Sequence, residues 1–450
     1  GGIEVAYTLE RWAELKRKQG VAMSYKLESY LLTPQEVKAR LPIIDQRVIH
    51  GGYFVPTDSD VRGWQCAAAL AELAMMQGVE FIGGVMVEDI QVQNGRVRRV
   101  VTDQGVVECE HVLLCTNVWA SVLAQKVGIR FPLLGVEHQY AITEPLEELA
   151  ADKDRFITHP ILRHQDFSLY YRQVYDSYGI GNYRHKSLLL DGDAVGARAE
   201  RVFTPEDWEV CQGASDELLP PLKGKHFIRQ FNGFMAFSND LYPIVGQTSL
   251  RGLWAALGVW VTHAGGVGKA IAELMTHGET EWDIREADIN RFHLHDYTQS
   301  YMKARIDRQY QEIYDIVHPL QQIEKPRNIR LAPFHQRLVE QGGVFFANAG
   351  WEIPQWYASN AGLVEEYHDH IPSREGWAAR HWSRIQGAEH LATRDRAGIF
   401  NLSTFTKIEV GGPGALSFLE SICANRIDRP VGTIVYTALC NSLGGIVADL

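Results

Sequence analysis

What this chain has little of narrows its class. Only six of its 450 residues are cysteine (Cys66, Cys109, Cys115, Cys211, Cys423 and Cys440), and no two form a C-x-x-C pair. That scatter suggests neither a zinc site nor a disulfide framework, and a reducing compartment is the natural setting. No run reaches the roughly 18 apolar residues that a bilayer span requires. Positive charge is in deficit: 44 lysines and arginines stand against 55 aspartates and glutamates, a net charge of −11. That balance argues against a nucleic-acid surface or an anionic membrane as partner. Neither an internal repeat nor a low-complexity tract is visible.

What remains is ordinary globular material, 46% hydrophobic and 22% charged, in a chain too long for one core. Two or three domains are expected. Asp283 to Asp315 is charged, poor in glycine and helically spaced, which suits a connector. An aromatic, proline-rich composition runs from near Pro319 through Trp356, and another begins near Arg394. The expected domains are residues 1–290, 291–385 and 386–450. Both ends fall on strand-like runs, Gly1 to Ala6 and Gly444 to Leu450, and the expectation is an internal fragment of a longer polypeptide.

Local signals are readable along the first half. Thr8 is placed to cap a helix over Thr8 to Gln19, and Thr33-Pro34-Gln35-Glu36 sets a capping threonine before a proline at the first helical position. Gly63 to Gln77 is alanine-rich and helical. Asn94-Gly95 between the alternating runs Val85 to Val92 and Val97 to Val101 predicts a hairpin. Strands continue over Val106 to Cys109 and His111 to Cys115, and helix returns over Val118 to Val127. This alternation fits part of a dinucleotide-binding α/β domain.

Trp254 to Leu274 carries the most chemistry. Leu253, Ala255, Leu257, Val259 and Val261 alternate as a strand does, and Thr262 to Gly266 is a breaker cluster. From Val267 the spacing is helical, with Val267, Ile271 and Leu274 on one face. A strand, a glycine turn and a helix start make an anion-accepting site, where small residues let a ligand approach the backbone and free N–H groups point at it. A purely structural glycine turn accounts for the pattern equally well.

Several long segments, in order, carry a resemblance. They include HGGYFVPTDSDV from His50, GVEHQYAITEP from Gly135, ILRHQDFSLYYRQ from Ile161 and YGIGNYRH from Tyr178. WVTHAGGVGKAIAEL from Trp260, EIYDIVHPLQ from Glu312 and PRNIRLAPFH from Pro326 follow. RDRAGIFNLSTFTKIEVGGPGAL from Arg394 and VGTIVYTALCNSLGGIVADL from Val431 complete the set. On these the chain resembles the dimethylglycine and sarcosine oxidase/dehydrogenase family. There a flavin-binding, amine-oxidising half is fused to a half like the T-protein of the glycine cleavage system.

The resemblance implies an α/β and α+β multidomain fold. Its parts are a truncated, D-amino-acid-oxidase-like FAD-binding domain, a central linker domain and the start of a T-protein-like folate-binding domain. The G-x-G-x-x-G loop of such proteins lies upstream of the position matching Gly1. FAD and tetrahydrofolate are the implied cofactors, with no metal. The implied partners are a small N-methyl amino acid, folate, and oxygen or an electron acceptor. The setting is cytoplasmic, or the mitochondrial matrix in a eukaryote.

The resemblance also places residues. His138 falls at an active-site histidine, where titration near neutrality suits it to favour the neutral amine. By itself it reads more readily as a hydrogen-bonded strand histidine, and the resemblance is what favours the functional role. Tyr170 is the first of a Tyr-Tyr pair, and its phenol would bond a substrate carboxylate or the histidine, while strand register decides which tyrosine faces the site. Val87 and Trp119 are implied flavin contacts, the latter after Thr116-Asn117 where related flavoproteins have Ala-Gly. Trp260, His263, Gly265, Gly266, Val267 and Gly268 would lie along the flavin, with N–H groups toward the edge that gains charge on reduction. Tyr436 and Asp449 fall in the folate half, Asp449 as a catalytic carboxylate expected to fray so close to Leu450. Two functions follow: flavin-dependent oxidation of an N-methylglycine-type amine with transfer of the one-carbon unit to folate, or a catalytically silent relative serving regulation or assembly. No residue separates oxidase from dehydrogenase behaviour, or dimethylglycine from sarcosine.

Overall fold

A computed structural model of the chain describes residues 1–190, 195–196 and 198–450. It forms two compact units, residues 1–329 with 373–383, and residues 330–372 with 384–450. The first unit contains strands β1 (Gly2–Ala6), β2 (Tyr30–Leu32), β3 (Gly51–Val55), β4 (Val87–Gln93), β5 (Arg96–Thr102), β6 (Gly105–Glu108), β7 (Val112–Leu114) and β8 (Leu133–Thr143). β9 (Ile161–His164), β10 (Leu169–Val174), β11 (Ser177–Asn182), β12 (Leu188–Leu190), β13 (Glu200–Arg201), β14 (Phe227–Ser238), β15 (Ile244–Gln247) and β16 (Leu253–Leu257) follow. Its helices are α1 (Leu9–Ser24), α2 (Pro34–Arg40), α3 (Gly63–Met75), α4 (Ala120–Gln125), α5 (Trp208–Leu218), α6 (Ala264–His277) and α7 (Gln299–Gln311).

Local chemistry sets many of these boundaries. The Thr8 side chain accepts from the Arg11 N–H at the start of α1. At α2, Thr33 and Glu36 form a reciprocal capping box before Pro34. Asn94 (φ 51°) and Gly95 (φ 70°) turn β4 into β5, the left-handed pair that a tight hairpin needs. The glycine segment differs from expectation. A single 3₁₀ turn spans Val261–His263 and α6 begins at Ala264. Gly265 and Gly266 therefore sit within the first helical turn, where few intrahelical hydrogen bonds have yet formed and glycine costs least.

Ten strands among the described residues share one sheet in the order β13-β14-β8-β11-β10-β9-β1-β3-β2, with β12 paired to β8. Its two faces divide by the period of two. One sends Ile3, Val5, Leu162, Tyr171, Tyr178 and Ile180 into a core closed by Trp208, Cys211 and Leu218 of α5. The other sends Leu134, Val136 and Phe237 against Met302, Ile306 and Tyr310, the buried stripe of α7. β7, β15 and β16 form a smaller sheet, with β16 parallel to β7, and β4 to β6 form another.

The second unit contains α8 (His335–Glu340), hairpin β17 (Gly343–Asn348) and β18 (Trp351–Tyr357), α9 (Leu363–Glu366), α10 (Arg384–Asp395), α11 (Ala415–Ile422) and hairpin β19 (Ala438–Cys440) and β20 (Ile446–Asp449). The Glu389 carboxylate of α10 accepts from Tyr357 N–H and from the Asn360 side chain, which ties that helix to the end of β18.

Two glycines separate a packing constraint from a flexible one. A Cβ at Gly181 in β11 would lie 2.0 Å from Tyr170 Cζ, whereas at Gly213 in α5 it would meet nothing within 4 Å. Gly181→Ala is expected to destabilise by about 1–3 kcal/mol through overpacking. Gly213→Ala is expected to stabilise by about 0.5–1 kcal/mol through a less entropic unfolded chain. Denaturant unfolding of both variants checks the contrast, and equal effects would remove the packing argument.

Candidate functional site

The site grows from three neighbouring strands. Tyr170 on β10 is paired in register with Gly181 on β11, and Gly181 in turn with Tyr140 on β8. Because glycine has no side chain, the Tyr170 ring lies over β11 and reaches the next strand. There its hydroxyl meets His138 Nε2 at 3.0 Å. The ring planes are nearly parallel, at 7°. The other tyrosine of the pair, Tyr171, points to the opposite face, where its hydroxyl lies 3.0 Å from Ser215 Oγ. Register thus gives the first tyrosine to His138 and the second to the core.

Three further residues complete the arrangement, and the sequence reading missed all of them. Tyr310 on α7 puts its hydroxyl 2.9 Å from His138 Nδ1 and 2.5 Å from His185 Nε2. His185 Nδ1 lies 2.8 Å from the Lys186 carbonyl. Tyr183 packs on His138 with ring centroids 4.3 Å apart. The available signals were His185 within the YGIGNYRH segment and the spacing of Met302, Ile306 and Tyr310 on one face of α7. Neither signal names a partner 172 residues away.

Electrostatics follow from burial. His138 is 5% exposed. Desolvation, with a lesser push from His185, holds its imidazole down to about 3. Burial also pushes the Tyr170 hydroxyl well above its ordinary range. The expectation that His138 titrates near neutrality therefore fails, because too little water reaches the ring to solvate an imidazolium. On the same face, Arg172 donates to Tyr140 Oη at 3.2 Å and to Asp60 at 3.0 Å, and Arg163 bonds Asp58 at 3.0 Å.

Trp260 lies near this cluster. Its ring is 5.6 Å from Phe237, which is 5.7 Å from Tyr310, and its indole N–H donates to the Ala236 carbonyl. His263 stacks beside Trp260 at 6.4 Å. The start of α6 has no side-chain cap, residues 261–266 are exposed, and a Cβ at Gly265 or Gly268 would meet nothing. An uncapped helix start with open space over its glycines fits the electron-rich edge of a flavin. Val267 is half-buried beneath that surface. Trp119 stands apart, with its indole donating to the Gly196 carbonyl at 2.6 Å. Asn117 Oδ1 accepts from Gly258 N–H at 2.8 Å and so joins the ends of β7 and β16. Val87 opens β4 in the separate three-stranded sheet and is exposed.

Tyr436 and Asp449 belong to the second unit. The Tyr436 hydroxyl donates to Asp449 Oδ2 at 3.1 Å. Asp449 is paired with Ala438, and Leu450 exchanges two backbone hydrogen bonds with Thr437. Where fraying is expected, the structure has β20 paired with β19 as far as Asp449, with one irregularity in register. No helix among the described residues is long and apolar enough to cross a membrane.

Comparison with known proteins agrees with this architecture. Residues 277–332 match the FAD dependent oxidoreductase central domain, and residues 334–450 match the GCVT N-terminal domain. Among curated proteins, the chain is 28% identical to mitochondrial sarcosine dehydrogenase of Mus musculus, over all of this chain and 51% of that protein. It is 30% identical to the formaldehyde-forming 4-methylaminobutanoate oxidase of Paenarthrobacter nicotinovorans, over all of this chain and 54% of that one. The chain thus spans about half the length of the curated relatives it matches. L-proline dehydrogenase from P. horikoshii shares the fold, with a TM-score of 0.57 and 22% identity over 64% of this chain and 75% of that one. Since the FAD dependent oxidoreductase profile itself covers residues 1–274, more than half of the sequence, the chain belongs to the FAD dependent oxidoreductase family.

Proposed function

We propose that the protein oxidises the N-methyl group of a small amino acid, dimethylglycine or sarcosine in the first instance, and passes the one-carbon unit to tetrahydrofolate. The observation that carries this reading is the buried His138–Tyr170 pair, set on the sheet face beside the aromatic chain Tyr310–Phe237–Trp260 that leads to the glycine start of α6. Bound FAD supplies the hydride acceptor. Toward it we assign the N–H groups of Gly265, Gly266, Val267 and Gly268, the flanking Trp260 and His263, and the backbone near Val87 and Trp119.

The residues of the sheet face do the rest. Tyr183, Tyr310 and Phe237 exclude water, so polar contacts there gain strength from a low dielectric. Tyr170, held by His138, meets the substrate. His138 stays neutral and acts by orienting that phenol. Tyr436 and Asp449 we assign to folate, the carboxylate stabilising the iminium that oxidation yields. The 4-methylaminobutanoate oxidase among the relatives extends the substrate class to N-methyl amines whose carboxylate lies further from nitrogen.

Anaerobic mixing of the full-length, flavin-loaded protein with sarcosine, dimethylglycine and 4-methylaminobutanoate tests the reading: at least one should bleach the flavin. Bleaching by none would overturn it.

His138→Ala should slow flavin reduction by about 1–3 kcal/mol of barrier, the scale of a lost buried hydrogen bond. The sign of its pH dependence follows from burial. With its pKa held down to about 3, His138 is already neutral well below the ordinary value of 6.5 and gains charge only in acid. The midpoint of reduction rate against pH, between about 6 and 10, should therefore belong to the substrate amine and stay put in the variant. A midpoint lost along with the imidazole would show that His138 titrates in turnover.

Asp449→Asn in the full-length protein should leave amine oxidation nearly intact, lower the yield of methylene-tetrahydrofolate and raise free formaldehyde, because an uncaptured iminium hydrolyses. Flavin reduction, formaldehyde and folate product measured on one preparation decide this. Parallel collapse of oxidation and folate product in a folded variant would refute the division of labour.

A further inference from the structure

The four hydroxyl and imidazole groups running from Tyr170 to His185 have only one consistent set of proton positions. It is fixed at the far end. The Lys186 carbonyl only accepts, so His185 Nδ1, 2.8 Å away, must carry a proton. The Gln139 N–H only donates, and it points at His185 Nε2 from 3.3 Å, so that nitrogen must be bare. Tyr310, 2.5 Å from the same nitrogen, then donates to it. Its hydroxyl has one proton and has now used it, so at 2.9 Å it accepts from His138 Nδ1–H. The neutral His138 ring keeps a bare Nε2, to which Tyr170 O–H donates across 3.0 Å. Tyr170 is left with oxygen lone pairs and no free proton.

We infer that Tyr310 and His185 are positioning residues that hold His138 as its Nδ1–H tautomer, commit the Tyr170 proton to His138, and so present the Tyr170 oxygen as an acceptor for the protonated nitrogen of an amine ligand. A carboxylate brought to the same oxygen would face another acceptor, so this end of the site reads the nitrogen. The statement about the ligand rests on the N-methyl amine reading above. The statement about the tautomer rests on the hydrogen bonds alone.

The helix that carries Tyr310 is seated to perform this task. Met302 and Ile306 bury the same face of α7 two turns and one turn earlier, respectively, and Asp307 accepts from Ser187, which follows shortly after His185. Both distal residues are thus anchored by contacts that do not involve the ligand.

The tautomer is measurable without turnover. In ¹⁵N-histidine-labelled protein, with the His138 signals assigned by their loss in His138→Asn, solid-state NMR should show a protonated Nδ1 and a bare Nε2. The reverse pattern in the wild type would overturn the proposal whatever the variants do. Tyr310→Phe removes one oxygen and should redistribute the His138 tautomers with near-ultraviolet dichroism unchanged. His185→Gln, which can keep an acceptor near the Nε2 position, should preserve the pattern, whereas His185→Leu should not. An unaltered pattern in Tyr310→Phe would refute the positioning role.

For the ligand, dimethylglycine is compared with 3-methylbutanoate, its carbon isostere without nitrogen. Tyr170→Phe should weaken dimethylglycine by about tenfold more than the isostere, the scale of one charge-assisted hydrogen bond. Equal losses would refute the acceptor role. If the tautomer pattern holds while no N-methyl amine reduces the flavin, the functional reading fails and the positioning of His138 stands.

Discussion

The close approach of an aromatic ring to a glycine strand is the constraint on which the site depends. Tyr170 lies where a Cβ at position 181 would come within 2.0 Å of its ring, and Tyr140 lies 1.8 Å from a Cβ position at Gly179. Glycine in a strand interior loses side-chain packing and costs conformational entropy. Here the vacated volume is filled by tyrosine rings from the neighbouring strands. Strand β11 therefore alternates between two tasks. Tyr178 and Ile180 fill the core beneath α5, and Gly179 and Gly181 make room above. A slip of one residue would exchange the faces, put Ile180 beneath Tyr170 and break both at once.

Burial then decides what kind of histidine His138 is. A ring with 5% of its surface exposed loses the hydration of its charged form, and both nitrogens that a carboxylate could bond are already taken by tyrosine hydroxyls. Its two nitrogens are satisfied by phenols, which are themselves kept protonated by burial. The outcome is a neutral network with defined direction, where each member limits the protons of the next. That differs from a pair built for titration, in which a solvent-exposed or carboxylate-paired imidazole changes charge near neutrality.

Much of the local structure was legible in the sequence, because capping and turn chemistry act within a few residues. Thr8, Thr33-Pro34 and Asn94-Gly95 are read from side-chain donors, a fixed proline φ and tolerance of positive φ, and the same features set α1, α2 and the β4–β5 hairpin. Period two made Tyr170 and Tyr171 mutually exclusive, though not which of them met His138. The start of α6 was placed late because glycine is a poor helix former on average, and averages carry little weight in a first turn. Tyr310 and His185 were not legible at all. Their meaning comes from a long-range contact between α7 and the sheet, and a buried stripe at helical spacing says that a helix packs without saying what its last member touches.

That contact also links the site to the region beyond the sheet. Tyr310 falls within residues 277–332, matched by the central-domain profile, while His138 and Tyr170 fall within residues 1–274. If α7 left the sheet, His138 Nδ1 and His185 Nε2 would both lose the hydroxyl between them, and water would reach the imidazole that burial now keeps neutral. Docking through Met302, Ile306 and the Asp307–Ser187 bond thus acts on chemistry as well as stability. The same apolar contacts that exclude water fix the direction of the hydrogen bonds inside. For this reason the polar pair has no separate existence from its apolar surroundings: its neutral state, its tautomer and the aim of the Tyr170 hydroxyl are consequences of how one helix packs on one face of one sheet.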